Sequence, residues 1–288
     1  MIQQSQYYYL VSGLPELELE QPHLPLSPEI LRTMLRESLH PDDFKQFEFL
    51  LLKHDHRRLL SSVIPAGHHP MLLFPGDELV EKLSQPGKLP PYYYRFREAL
   101  QQYKPIWTGL SWENQLTRLY YEYVTTAANT FLQQWFAFER DLGNILTAIH
   151  CRLFDIPIHG QLIGENPLTT ALLRRHSRDF GLSNEFPFVE QLLLSAERDD
   201  LWEQEQVINR IKWHYLDQAT TFHYFTIEVL LSYFIKLSLL HRRMTLLQHH
   251  GSQLALQKIE KFAAAAATVP GAFNTQSSHH EKPGASSG

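Results

Sequence analysis

Histidines and carboxylates are the side chains here most able to do chemistry, and their spacing decides what kind. Sixteen histidines are present, eight of them clustered as His54-Asp55-His56, His68-His69, His249-His250 and His279-His280. A metal site on a helix needs ligands three or four residues apart, so that they share a face. These histidines are adjacent or alternate, which fits solvated or loop positions better than a metal centre. The single cysteine, Cys151, follows His150. Neighbours on a helix project about 100° apart, so the two do not form a catalytic pair. Cys151 is expected to be a partly buried structural thiol. Asp199-Asp200 has the form of a helix start, and Glu203 and Glu205 that of a solvated face. There is no phosphate-cradling Gly-rich loop, no Gly-x-Gly-x-x-Gly turn and no Gly-x-Ser-x-Gly elbow. The expectation is a chain with no catalytic residue, no cofactor and no metal.

Two polar sets stand out from the apolar stripes. One is Glu139-Arg140-Asp141 with Asn144 and Arg152; the other is Glu228, Lys236, Arg242 and Arg243. Pairing within one helix at three- or four-residue spacing is one explanation, contributing only tenths of a kcal/mol. Contact between helices, or with a partner subunit, is the other. Glu139, Arg140, Asp141, Asn144, Arg152, Glu228, Lys236 and Arg243 are therefore the candidate interface or helix–helix positions.

The elements carrying these residues are helical by pattern. The proline-free run from Ser111 to Leu153 holds a period near 3.6 through Leu116, Leu119, Tyr123, Ala127, Phe131, Trp135, Leu142, Ile145 and Ile149. It predicts one continuous rod of about 65 Å. A second long helix is predicted from about Thr220 to Gln248, with Gly251 as its stop. Shorter helices are predicted after Ser27-Pro28, where serine can cap, after Asp42-Asp43, after Asp77, over Tyr92 to Tyr103, after Asn166-Pro167, from Pro187 to Leu194, and from Asp199-Asp200 to Leu216. The aromatic, β-branched run Tyr7 to Val11 suggests a short strand or extended segment.

Composition narrows the class. Hydrophobic residues make up 43% and aromatics 12%, enough for a substantial core, while the formal charge of −5 argues against a nucleic-acid binder. One thiol builds no internal disulfide framework, and residues 1–10 lack the basic start of a signal peptide. The most apolar stretch, Phe222 to Leu240, contains His223, Glu228 and Lys236. It reads as a core helix rather than a membrane span. The expected fold is all-α, an elongated bundle of long and short helices. Residues 1–262 form a single helical domain, with short helices and loops over 1–106 and a long-helix scaffold over 107–262. Residues 263–288 form a disordered tail, most clearly from Thr268 onward.

The segment Tyr7-Tyr8-Tyr9-Leu10-Val11-Ser12-Gly13-Leu14-Pro15 resembles the opening of a bacterial family of undefined activity encoded beside the genes of V-type ATP synthases. The block Leu51 to Leu60, with Asp55 and the Leu59-Leu60 pair, resembles that family's next signature, though the family commonly has asparagine near Arg57 or Arg58. Glu139 to Ile145 with Arg152 is similar to an acidic–Leu–Asn–Leu…Arg pattern. That pattern is found also in the C-type socket subunit of A- and V-type rotary ATPases (d-type in eukaryotic enzymes). Leu162-Ile163-Gly164, Asp179-Phe180-Gly181-Leu182, and Ile227-Glu228 with Tyr233, Lys236 and Arg243 continue the match over roughly Tyr7 to Gly251.

The resemblance implies a funnel-shaped helical part without an active site. It would sit on the membrane rotor ring, receive the central shaft and couple ATP turnover to proton or sodium transport. Its partners would be the other components of the V-type ATPase, with no nucleic acid and no direct membrane span. Its location would be cytoplasmic, held peripherally at the membrane through the complex. The alternatives are a free-standing helical adaptor for another partner, and a metal- or cofactor-dependent helical enzyme using the histidines.

Overall fold

The computed structural model describes residues 7–60, 78–83, 85, 87–198 and 200–267, with side chains described as far as residue 247 except at 57, 58 and 80. Among these residues the chain is all-α, without a strand. It divides into two units, residues 1–241 and residues 242–288.

The first segments are short. Helix α1 spans Tyr8–Gly13, α2 Pro28–Ser38 and α3 Pro41–Leu51; a 3₁₀ turn over Leu52–Asp55 leads into α4, His56–Leu60. The strand expected at Tyr7 to Val11 is thus a helix. An isolated strand would leave its amides unpaired, whereas here the Tyr7 N–H reaches the Phe225 carbonyl at 2.6 Å and a single helical turn follows. Ser27 caps α2 as expected, accepting from the Ile30 N–H at 3.3 Å. Helix α5, Glu78–Leu83, follows Asp77, and α6, Pro91–Gln101, ends two residues short of the predicted Tyr103.

The single rod from Ser111 to Leu153 is two helices. Helix α7 spans Trp112–Val124 and α8 spans Thr130–Leu153. The break needs no proline or glycine. The Thr125 and Thr126 hydroxyls donate to the Glu122 and Tyr123 carbonyls at 3.0 and 2.6 Å, closing α7, and Asn129 accepts from the Leu132 N–H at 3.1 Å, opening α8. The helices fold back on one another: Tyr120 meets Phe136, and Tyr121 meets Glu139. At about 1.5 Å per residue, α8 is a rod of about 36 Å, little more than half the expected length.

Helix α9, Pro167–Arg174, starts with a capping box between Asn166 and Thr169. Helix α10 is Val189–Ala196, and α11 is Leu201–Thr220, capped by Asp200. Helix α12 runs Ile227–Ala267. The second long helix therefore begins seven residues later than expected. Thr220 and Thr221 turn the chain by bonding back to the Leu216 and Asp217 carbonyls, and Phe222 and Tyr224 are exposed in the connection. Nor does Gly251 stop α12. One glycine inside a helix costs about 1 kcal/mol relative to alanine, and the Leu-, Gln-, Lys- and Ala-rich sequence after it favours helix. Residues 263–267 of the expected tail are accordingly helical; residues 268–288 lie outside the described residues.

Two apolar cores share α8. Phe131, Leu132, Trp135 and Phe136 pack into one with Leu31, Phe47, Tyr93, Phe96, Tyr120 and Phe234. Leu142, Ile145, Ala148 and Ile149 pack into the other with Leu172, Phe180, Leu192, Val207 and Ile211. The polar run Glu139-Arg140-Asp141 lies on α8 between the two. The loop after α8 passes close to the loop before α7: a Cβ on Gly160, whose φ is +78°, would sit 2.3 Å from the Gly109 carbonyl oxygen.

Candidate functional site

Glu139 is the centre of a charged triad. The Lys53 ammonium, from the 3₁₀ turn, and the Lys212 ammonium, from α11, each lie 3.5 Å from the same Glu139 oxygen, Oε1. The Tyr121 hydroxyl of α7 donates to Oε2 at 3.4 Å. The Glu139 and Lys212 side chains are 17% and 19% exposed, while Lys53 is 46% exposed. Burial pushes the Glu139 carboxyl up, but the two ammonium charges and their hydrogen bonds outweigh it and hold it down to about 2. The carboxylate is ionised at neutral pH, and the triad keeps one positive charge in excess.

The rest of the first polar set ties α8 to the loops around it. Arg140 pairs with Asp141 at 2.9 Å, and Asp141 accepts from the Asn166 amide at 3.3 Å, next to the start of α9. Asn144 is fully buried; its amide donates to the Ile163 carbonyl at 2.9 Å and accepts the Ile163 N–H at 2.7 Å. Arg152 lies 3.8 Å from the Phe180 ring centroid and donates to the carbonyls of Ser177, Arg178 and Arg175 at 2.7, 3.1 and 3.3 Å. Ile163 and Phe180 thus have defined duties. Asp179 shapes the same turn, accepting from the Gly181 N–H at 2.9 Å and the Ser183 hydroxyl at 2.6 Å.

The second set is not brought to the first. Glu228 accepts from the Asn129 amide at 2.8 Å and from the Thr226 hydroxyl, with His223 at 3.5 Å, joining the starts of α8 and α12. Lys236 pairs with Asp217 at 2.5 Å and lies 5.1 Å from the Trp213 ring centroid, joining α12 to α11. Arg242 and Arg243 lie on α12 in the second unit, Arg242 exposed and Arg243 half-buried. Apart from the adjacent Arg140–Asp141 pair, the contacts of Glu139, Asp141, Asn144, Arg152, Glu228 and Lys236 described above reach beyond the residue's own helix.

His56 departs from its expected solvated or loop position. It is buried, its Nε2 lies 2.9 Å from the Tyr92 hydroxyl, and the rings of Tyr92, Tyr93 and Tyr120 surround it. Burial, with the Lys53 and His54 charges, pushes it down to about 3, so it is neutral. His68, His69, His279 and His280 lie outside the described residues, as do the side chains of His249 and His250. Among the described residues no group of three or more His, Cys, Asp or Glu is placed to hold a metal ion. Cys151 is buried, and its burial raises its pKa.

Two cavities adjoin these residues. One, of about 260 Å³, is lined by Lys53, Lys212, Glu139 and Arg140 together with Asn114, Thr117, Tyr121, Gly143, Thr147, Gln161 and parts of their neighbours. The other, of about 630 Å³, lies between α8, α10 and α11 against Phe138, Phe188, Ile211 and Tyr215. Sequence reasoning missed Lys53, Lys212 and Tyr121. The one signal for Lys53 was its place in the Leu51–Leu60 block; Lys212 sat unremarked in a charged helix.

A family model described as a protein of unknown function (DUF2764) matches residues 4–264. No curated protein and no solved structure matches the chain. Since the family match spans nearly the whole chain, this protein belongs to the DUF2764 family.

Proposed function

We propose that the chain is a non-catalytic component or assembly factor of a V-type rotary ATPase, similar to the C-type socket subunit, coupling the central shaft to the membrane rotor ring during proton or sodium transport. The observation that carries this reading is how the residues of the shared acidic–Leu–Asn–Leu…Arg pattern are used. Glu139, Asp141, Asn144 and Arg152 each cross from α8 to another helix or loop. They make α8 a spine shared by two cores. A part that transmits torque must resist shear between its helices, and half-buried charge pairs and reciprocal hydrogen bonds hold one discrete arrangement. The same side chains hold the fold together. No helix among the described residues is long and apolar enough to cross a membrane, which fits attachment through the rest of the complex at the cytoplasmic face.

A clean deletion in the native host tests the reading. ATP-driven ion pumping by membrane vesicles, and assembly of the ATPase, should both fall. Full pumping by a fully assembled enzyme in the deletion strain would overturn it.

A further inference from the structure

The 260 Å³ cavity beside Glu139 has features that holding the helices together does not explain. It lies just below the size range of pockets for drug-sized ligands. Its walls carry the Lys53 and Lys212 ammoniums against one carboxylate, with Arg140 already balanced by Asp141. Two ammoniums therefore face one carboxylate in its wall. An ammonium has three donors and Glu139 takes one from Lys53, which is half-exposed at the cavity. Among the described residues the side chains of Thr117, Thr147 and Gln161, which also line it, make no hydrogen bond to protein. Donors thus converge from α7, α8, the 160s loop, the 3₁₀ turn and α11.

Gly143 supplies a second, independent observation. It lies in the middle of α8, exposed, at the cavity wall, with an ordinary helical φ and nothing within 4 Å of the place a Cβ would take. Neither packing nor backbone conformation requires glycine there, and glycine weakens a helix interior. The missing side chain leaves the α8 backbone open there to close approach by a ligand.

We propose that this cavity binds a small oxyanion of the phosphate class, held by Lys53 and Lys212 and admitted past Gly143. Two point-charge ammoniums and neutral hydroxyl and amide donors on several sides suit a compact anion with acceptors in every direction. The inference is independent of any role in a rotary ATPase.

The test is isothermal titration of the full chain with inorganic phosphate, and with succinate as a carboxylate control, alongside thermal melting. The wild type should bind phosphate saturably and more tightly than succinate. Lys53→Met should weaken phosphate binding at least tenfold. Gly143→Leu should do the same while melting no lower than the wild type, since a Cβ there meets nothing within 4 Å and leucine favours helix. If Gly143→Leu fails to fold, the half-exposed Lys53→Met carries the test alone. No saturable phosphate binding up to tens of millimolar, tighter binding of succinate, or phosphate affinity unchanged in Lys53→Met would overturn the proposal.

Discussion

Asn144 and Ile163 exchange two hydrogen bonds through one buried side-chain amide, at 2.9 and 2.7 Å. A strand or helix would normally satisfy the Ile163 N–H and carbonyl; here a side chain on α8 substitutes for that partner. Asparagine is the side chain of this length that carries both an N–H donor group and a carbonyl acceptor. Asn144→Ala should destabilise the protein by about 2–4 kcal/mol, because two buried backbone groups lose their partners. Asn144→Asp, which keeps only the acceptor, should also destabilise. Urea unfolding of the two variants measures both.

Glu139 sets one negative charge between two ammoniums. Glu139→Gln keeps the shape and removes the charge, leaving Lys53 and Lys212 to repel one another. A loss of about 1–3 kcal/mol is expected, less than for a fully buried pair because Lys53 meets solvent. Adding Lys212→Met should recover part of that loss. A double-mutant cycle on urea midpoints reads the coupling directly.

His56 gives the fold an acid sensitivity with a defined window. Burial holds it down to about 3 against an ordinary 6.5. Below pH 6.5 the unfolded chain takes a proton that folded His56 refuses, so protons favour unfolding. Its contribution is complete above pH 6.5 and is lost as pH falls toward 3, at no more than about 1.4 kcal/mol per pH unit. Glu139, held down to about 2 against 4.5, adds its loss only below pH 4.5. Urea midpoints between pH 6.5 and 5 should therefore fall for the wild type and fall less steeply for His56→Phe.

Arg152 both stacks on Phe180 and caps carbonyls of the 175–178 loop. Lysine keeps the charge but loses the planar fork and the stack. Arg152→Lys should loosen this loop, with stability lower by about 1–2 kcal/mol. Hydrogen exchange should show faster exchange of the Phe180 and Leu182 amides, whose bonds to Ser177 and Asp179 close the turn.

The parts of the fold written in local chemistry were legible. Ser27-Pro28, Asn166-Pro167 and Asp200 announce helix starts because the cap and its amides are neighbours in sequence. The α7–α8 turn was hidden because the apolar period continues through Tyr123, Ala127 and Phe131, while threonine hydroxyls and the Asn129 cap make the break. The strand expected at Tyr7 to Val11 yielded to a tertiary contact with Phe225. At the site, the period exposed Glu139 and Asn144 as polar residues on a mostly apolar helix. Their partners lie far off in sequence, 86 positions away for Lys53, and no spacing rule reaches across that distance.

Membership in a V-type rotary ATPase is tested most directly by isolating this chain through an affinity tag from native membranes and imaging what accompanies it. Shaft and rotor-ring components are expected in the same particles, with density for these helices where shaft meets ring. Particles lacking ATPase components, with another protein as the dominant partner, would contradict that membership and favour a free-standing adaptor.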